Sequence, residues 1–218
     1  MSRVVWFAVV PTVLASTPLR AQVCAGLASF HDRPIQVGGG AAFSKNGRSL
    51  GGFLGAGGPR TFGDLAFGTT HIDAYDASGF TLSAEAGYQI SLDKKGVVQL
   101  CPGAGVGLLI GPKNINGLFD YSETDIRAGA LLGGVVARTA QVDVVPTGLL
   151  EFVHAHGKLQ GPSSSSSQSQ SFGLVGLGVG LVFRNRVSIR PDMSIPFGIS
   201  GGSTSFGITV AVNVQGGW

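Results

Sequence analysis

The feature that most constrains this chain is a two-residue alternation that recurs along most of its length. In SFGITVAVNVQGGW, Phe206, Ile208, Val210, Val212, Val214, Gly216 and Trp218 fall on one parity. Gly207, Thr209, Ala211, Asn213, Gln215 and Gly217 fall on the other. Successive strand residues point to opposite faces, so this is a β-strand whose faces meet different surroundings. The same pattern sets Phe80, Leu82, Ala84, Ala86, Tyr88 and Ile90 against Thr81, Ser83, Glu85, Gly87 and Gln89. It sets Val98, Leu100, Pro102, Ala104, Val106, Leu108 and Ile110 against Gln99, Cys101, Gly103, Gly105 and Gly107. It returns over 125–136, 142–156, 171–183 and 187–199, and in weaker, glycine-rich form over 34–44, 49–58 and 62–70. These segments predict ten strands, most long enough to cross a bilayer at a tilt, with eight as the fallback count.

Composition narrows what the apolar face meets. Charged residues are 12% of the chain and hydrophobic ones 44%, about half the charge of an ordinary soluble domain. The opening MSRVVWFAVVPTVLASTPLRAQ has a cation at Arg3, an apolar run from Val4 to Ala15 broken by Pro11, and a short polar stretch. That reads as a secretory signal peptide over 1–21, too short to span a bilayer as a helix. Removing it takes away Arg3 and Arg20 and lowers the formal charge from +3 to +1. No basic stripe remains, so no nucleic-acid partner is expected. An exported chain this poor in charge must hide its apolar faces in a core or in lipid.

The predicted connections alternate as well. Thr139-Ala140 and Asn185 are tight turns, and Asp93-Lys94-Lys95-Gly96 is short. Segments 111–121 and 157–171 are longer, and 71–79 and 200–205 are intermediate. The run SSSSSQSQS over 163–171 is low in complexity and reads as a mobile loop tip. Short turns at one end and long loops at the other fit a membrane barrel with its turns in the periplasm.

The chain therefore resembles the small bacterial outer-membrane β-barrels of the OmpA, OmpX and opacity-protein type, from about residue 33 onward. The piece most specific to that family is the terminal strand with Phe206, Ile208, Val210, Val212, Val214 and Trp218 on one face. The resemblance implies an all-β fold, a closed antiparallel transmembrane barrel over 34–218 behind an N-terminal periplasmic segment over 22–33. It implies that the terminal strand is the signal read by the barrel-assembly machinery. Its implied partners are outer-membrane lipid, that machinery and periplasmic chaperones, with any extracellular ligand left open. Tyr and Trp number only 3 and 2, so the aromatic girdles must be thin or built from Phe.

Closure is forced by lipid, which cannot hydrogen-bond a strand edge. The inward parity then collects Glu85, Gln99, Arg127, Asp143, Glu151, Arg190 and Asp192. Buried charges need partners, so Arg127 and Arg190 are expected to pair with Glu85, Glu151 or Asp192 in a polar network that fills the lumen. Gly103, Gly105, Gly107, Gly176, Gly178 and Gly180 share this parity and leave room for longer inward groups, unless they reflect composition alone. Cys24 and Cys101 are the two cysteines. An oxidising compartment favours a disulfide between them, with free thiols or a lipidated Cys24 as the other readings. Cys101 faces inward near a lower turn, where the N-terminal segment can reach it.

Catalytic chemistry leaves no clear mark. His154 and His156 share a strand face with Leu150 and Phe152 and read as outer-rim residues. With His71 and Asp73 they make at most a weak metal set. No Gly-x-Ser-x-Gly surrounds the serine run, and no phosphate loop is present. No enzyme, metal or cofactor is expected. A structural or surface-interaction barrel is the leading reading. Behind it stand a narrow passive channel, a lipid-modifying enzyme and a secreted β-sandwich.

Overall fold

A computed structural model describes residues 23–28, 30, 34–58, 60–73, 76–93, 97–111, 120–162 and 164–214. The expected signal peptide and Trp218 lie outside the described residues. The strands are β1 (Ile35–Ser44), β2 (Gly47–Gly57), β3 (Thr61–Ile72), β4 (Ala77–Tyr88), β5 (Ile90–Ser91) and β6 (Val98–Ile110). Then come β7 (Asp120–Gly134), β8 (Ala137–Arg138), β9 (Val142–Gln160), β10 (Ser165–Phe183), β11 (Val187–Phe197) and β12 (Ser205–Val214). The ten long strands pair antiparallel in the order β10-β11-β12-β1-β2-β3-β4-β6-β7-β9, and β9 returns to β10. β12 lies against β1 from Ile35↔Val214 to Ser44↔Ser205, so the sheet has no free edge at the seam. The barrel is closed, antiparallel and ten-stranded, as the alternation predicts. The ends where β1 starts and β12 finishes are called lower here.

The parity assignment holds around the wall. Leu50, Leu65, Phe67, Val106, Ile126, Leu150, Leu177, Ile208 and Val210 are exposed on the outside. Gln36, Thr70, Arg190, Ala211 and Asn213 are buried on the inside. An apolar exterior around a filled interior is the inverse of a soluble protein, and a bilayer is the surrounding that satisfies it. Phe43, Phe80, Phe197 and Phe206 stand outward near the upper ends of their strands, so the upper girdle is built from Phe.

The short strands mark local adjustments at the lower end. β7 pairs with β9 in one register down to Gly133↔Thr147. β8 then pairs with β9 shifted by one, at Ala137↔Val144. The extra residue is a bulge at Val135–Val136, which sends Val135 inward and leaves Val136 exposed. Arg184 and Asn185 both take positive φ in the turn closed by Arg186 N–H to the Phe183 carbonyl, matching the twist of the hairpin they join.

One expectation fails. The serine run is not a loop tip: Ser165–Ser171 belongs to β10 and pairs residue for residue with β9 from Gln160 to His154. The connection shrinks to 161–164. Composition marks a segment unable to bury apolar surface, but it does not see a partner strand that holds the segment by backbone bonds. Ser171 and Ser169 add side-chain bonds of 2.8 Å to His154 and His156. β9 and β10 are each 19 residues long. That is about 60 Å of strand, far beyond an apolar band of about 25 Å. β7, β9 and β10 therefore rise as a wall above the upper rim. β11 pairs with β10 only as far as Gly173↔Phe197, so over Ser165–Phe172 the other edge of β10 has no strand beside it among the described residues.

Candidate functional site: lumen and upper rim

The lower lumen is filled by the chain's own N-terminal segment. A single 3₁₀ turn, Val23–Ala25, sits inside the barrel against β6, β7 and β9. Cys24, Ala25, Leu27, Ala28 and Phe30 are at most 2% exposed, as buried as any core residue. Cys24 and Cys101 form a disulfide with their Cα atoms 6.1 Å apart. Around it pack Phe30, Phe62 and Leu131, while Leu27 and Ala25 pack on Phe53 and Ala211. The segment read as periplasmic thus enters the barrel, and the lower lumen holds an apolar core alongside the buried polar residues Gln36, Asp64 and Asn213. The sequence reading missed this because VCAGLASF has no period and draws its neighbours from many strands.

Glycines make the fit possible. Gly26 holds φ +66°, and a Cβ on Gly180 would lie 2.1 Å from the Gly26 carbonyl oxygen. Two backbones meet there with no space for a side chain. The same inward rows seat side chains elsewhere: Glu85 lies over Gly105, Asp125 and Arg127 over Gly107, and Thr147 with Asp192 over Gly178. This is the packing role expected of the inward glycines.

The predicted polar residues divide into three places. Arg190 is 3.2 Å from Asp192, one of its expected partners. Arg127 is paired with Asp125, two residues along the same strand face, and Glu151 and Glu85 add their attraction. Asp125 has the parity of Arg127 and was readable on that ground. Asp143 sits at the lower mouth, bonded to Arg138 of β8 at 3.0 Å, outside the central network. Gln99 is also low, opposite Ser91 and Gly133, and joins none of these ion pairs. Asp64, Glu123 and the bonded pair Gln36–Asn213 (2.6 Å) are further inward polar residues that the sequence reading passed over. Among the described residues, six inward carboxylates, Asp64, Glu85, Glu123, Asp125, Glu151 and Asp192, stand against two guanidiniums, Arg127 and Arg190.

On the outer face, His154 and His156 occupy β9 just above Phe152, as expected of rim residues. His71 lies on β3, separated from β9 by β4, β6 and β7, so the four residues weighed as a metal set are not brought together. Among the described residues no group of three or more His, Cys, Asp or Glu side chains is arranged to hold a metal.

No protein family matches the sequence, and no curated protein does. Solved structures similar to the chain include the N-terminal β-barrel domain of Pseudomonas aeruginosa OprF, 13% identical, covering 84% of this chain and 98% of that one at a TM-score of 0.43. Ail, the attachment invasion locus protein of Yersinia pestis, is 13% identical over 82% of this chain and 93% of that one, with a TM-score of 0.43. The translocator domain of the autotransporter NalP from Neisseria meningitidis is 14% identical over 88% and 92%, with a TM-score of 0.47. The barrel rests on its own hydrogen-bonded closure, which is the transmembrane β-barrel fold expected from the sequence.

Proposed function

We propose that this chain is an integral outer-membrane β-barrel that does not conduct and that works through the surface it presents outside. The observation that carries this reading is the occupied lumen. A disulfide-latched segment, buried over Cys24–Ala28 and at Phe30, fills the lower half, and the ion pairs Arg127–Asp125 and Arg190–Asp192, each within one strand, project from the inner wall. Toward the upper rim, Val153, Ala155, Phe172 and Leu174 line the inner face of the tall wall, and Ile199 of the β11–β12 connection packs on them. What remains available to a partner is the outer part of the wall. There the edge of β10 over Ser165–Phe172 is a template for strand addition by an extracellular polypeptide. Insertion by the barrel-assembly machinery and delivery by periplasmic chaperones belong to the same reading, supported by a closing strand with an apolar outer face.

The test is conductance. The oxidised, refolded protein in planar bilayers is expected to give no stable channel steps, while a heat-modifiable gel shift verifies that it is folded. Stable steps from oxidised, folded protein would overturn the reading in favour of a narrow channel.

A further inference from the structure

The register of three neighbouring strands sets Arg48 of β2 opposite His71 of β3, and His71 opposite Ser78 of β4. All three share the outward parity. They form a row two residues above the Thr69↔Phe80 pair, at the upper limit of the apolar exterior. Ser78 Oγ lies 3.1 Å from His71 Nδ1. On the far side of the ring, Nε2 is 3.5 Å from Asp73 Oδ1 and 3.6 Å from Asp76 Oδ1. A hydroxyl at one ring nitrogen and carboxylates at the other form the arrangement in which imidazole takes a proton from the hydroxyl while held in one tautomer.

The barrel supplies its own comparison. His154–Ser171 and His156–Ser169 are cross-strand pairs of the same kind on the same outer face. Neither histidine meets a carboxylate among the described residues. Beside His71, in contrast, opens a cleft of about 410 Å3 lined by the apolar Ala41, Phe43 and Leu50 and by the polar Arg48, Ser49, Thr69, His71 and Ser78. That volume is in the range of small-molecule sites. Apolar side chains two or more residues below the row, and a cation and a hydroxyl–imidazole pair within it, match an amphiphile with an acyl chain, an ester at the headgroup junction and an anionic head.

We propose that Ser78 and His71 form the catalytic pair of an ester hydrolase acting on anionic acyl lipids of the outer leaflet. The acyl chain lies on Ala41, Phe43 and Leu50, and Arg48 meets the headgroup. Ser78 Oγ attacks the ester carbonyl carbon as His71 Nδ1 takes its proton. The tetrahedral intermediate collapses, the bond to the alcohol oxygen breaks, and His71 returns the proton to the departing alkoxide. Water then attacks the acyl-serine, giving its proton to His71; the carboxylic acid leaves and Ser78 recovers its proton. The sum is ester plus water to acid plus alcohol, with no other reactant. Asp73 and Asp76 are positioning residues for the His71 ring. This activity adds to the surface reading above and does not depend on whether the lumen conducts.

The experiment uses the folded full chain in mixed micelles of nonionic detergent and phosphatidylglycerol, with an alkyl fluorophosphonate as active-site probe. The expected result is a probe adduct on Ser78 by peptide mass spectrometry, together with release of free fatty acid. His71→Ala slows both by about a hundredfold or more, while His154→Ala and His156→Ala change neither. Arg48→Ala raises KM for phosphatidylglycerol but not for phosphatidylcholine. The double change Asp73→Asn with Asp76→Asn lowers kcat at unchanged KM, which a merely structural role would not do. Folded wild-type protein that leaves Ser78 unlabelled overturns the proposal whatever the variants do, as does fatty-acid release that persists in Ser78→Ala.

Discussion

Arg190 reaches in two directions: its Nη1 donates to the Ala25 carbonyl at 2.9 Å, and its Nη2 lies 3.2 Å from Asp192 Oδ2. One side chain on β11 thus joins a carboxylate of the wall to the backbone of the segment that fills the lumen. Arg190 is 3% exposed, so neither bond is readily replaced by water.

Removing that guanidinium leaves a largely buried carboxylate and a buried carbonyl without their donor. Arg190→Met is expected to destabilise the folded barrel by roughly 3–5 kcal/mol, the usual cost of breaking a buried pair from one side. Arg190→Met combined with Asp192→Leu should recover part of the loss, because no orphaned charge remains. Urea titration of the heat-modifiable gel shift measures both. Equal midpoints for the single and the double variant would show that Asp192 is not held by Arg190.

The disulfide bridges residues 77 apart in sequence. A cross-link over that span contributes roughly 4–5 kcal/mol in the chain-entropy picture. The ladder of the barrel does not run through Cys24, so Cys24→Ser is expected to keep the closed sheet and free the N-terminal segment. The exposed lumen carries more carboxylates than guanidiniums, so the current that appears in planar bilayers should favour cations. Reduction of the wild-type protein should reproduce it. A silent, folded Cys24→Ser barrel would mean that the packing of Leu27 and Phe30 holds the segment without the latch.

Glycine substitutions separate close packing from mere composition. Alanine at Gly180 would place a methyl group 2.1 Å from the Gly26 carbonyl oxygen, a backbone atom with nowhere to go. Alanine at Gly148 meets nothing within 4 Å. The first change should displace the N-terminal segment and speed alkylation of Cys24 and Cys101 after mild reduction, and the second should leave that rate at the wild-type value. The thiol-labelling rate at fixed reductant distinguishes them.

The wall of the barrel was legible because each strand face meets a single medium. Val210 and Ala211 are neighbours in sequence, yet the first is 44% exposed and the second 1%. In the glycine-rich β1 the period fades over Gly38–Ala41, all half-buried, and returns at buried Ala42 and exposed Phe43. Above the rim the outer medium becomes water, and Ser165–Ser171 is polar on both faces, so the same strand loses its signal while keeping its hydrogen bonds. The segment over Val23–Ala28 is irregular and carried no period to read. His71 and Ser78 are seven residues apart, a spacing without catalytic meaning until the β3–β4 hairpin sets them opposite one another.

Charge on the two faces should act differently. Arginine at Val179 or Val210, both outward in the band, is expected to cost roughly 2–4 kcal/mol near the bilayer midplane. Arginine at Ala211 instead enters the packed group of Leu27 and Phe53 and should expel the N-terminal segment. Spin labels at 210 and 212 report the medium directly: contact with lipid-soluble oxygen is expected, and contact with a water-soluble relaxing agent would reverse the face assignment.

The tall wall gives the last prediction. β9 and β10 stay in one register from Ser165↔Gln160 down to Phe183↔Val142, and β7 follows β9 up to Asp120↔Gln160. Shortening the hairpin without breaking this register means removing matched residues from both strands. Deleting Lys158–Ser167 and joining Gly157 to Gln168 through an Asn-Gly turn does so, since Gly157 and Gln168 are already opposite. The shortened chain keeps every pairing of β10 with β11, which begins at Gly173. It should therefore insert and resist urea extraction as the parent does, while capture of any extracellular polypeptide on intact cells is weakened, because Ser165–Ser167 of the β10 edge is gone and only Gln168–Phe172 remains. Deleting 163–171 alone is the harsher change, because it strips β9 of its partner from His154 to Gln160 and leaves that edge open. If the matched deletion abolishes insertion while the one-sided deletion does not, the wall is part of the assembly route, and the surface role assigned to the β10 edge fails.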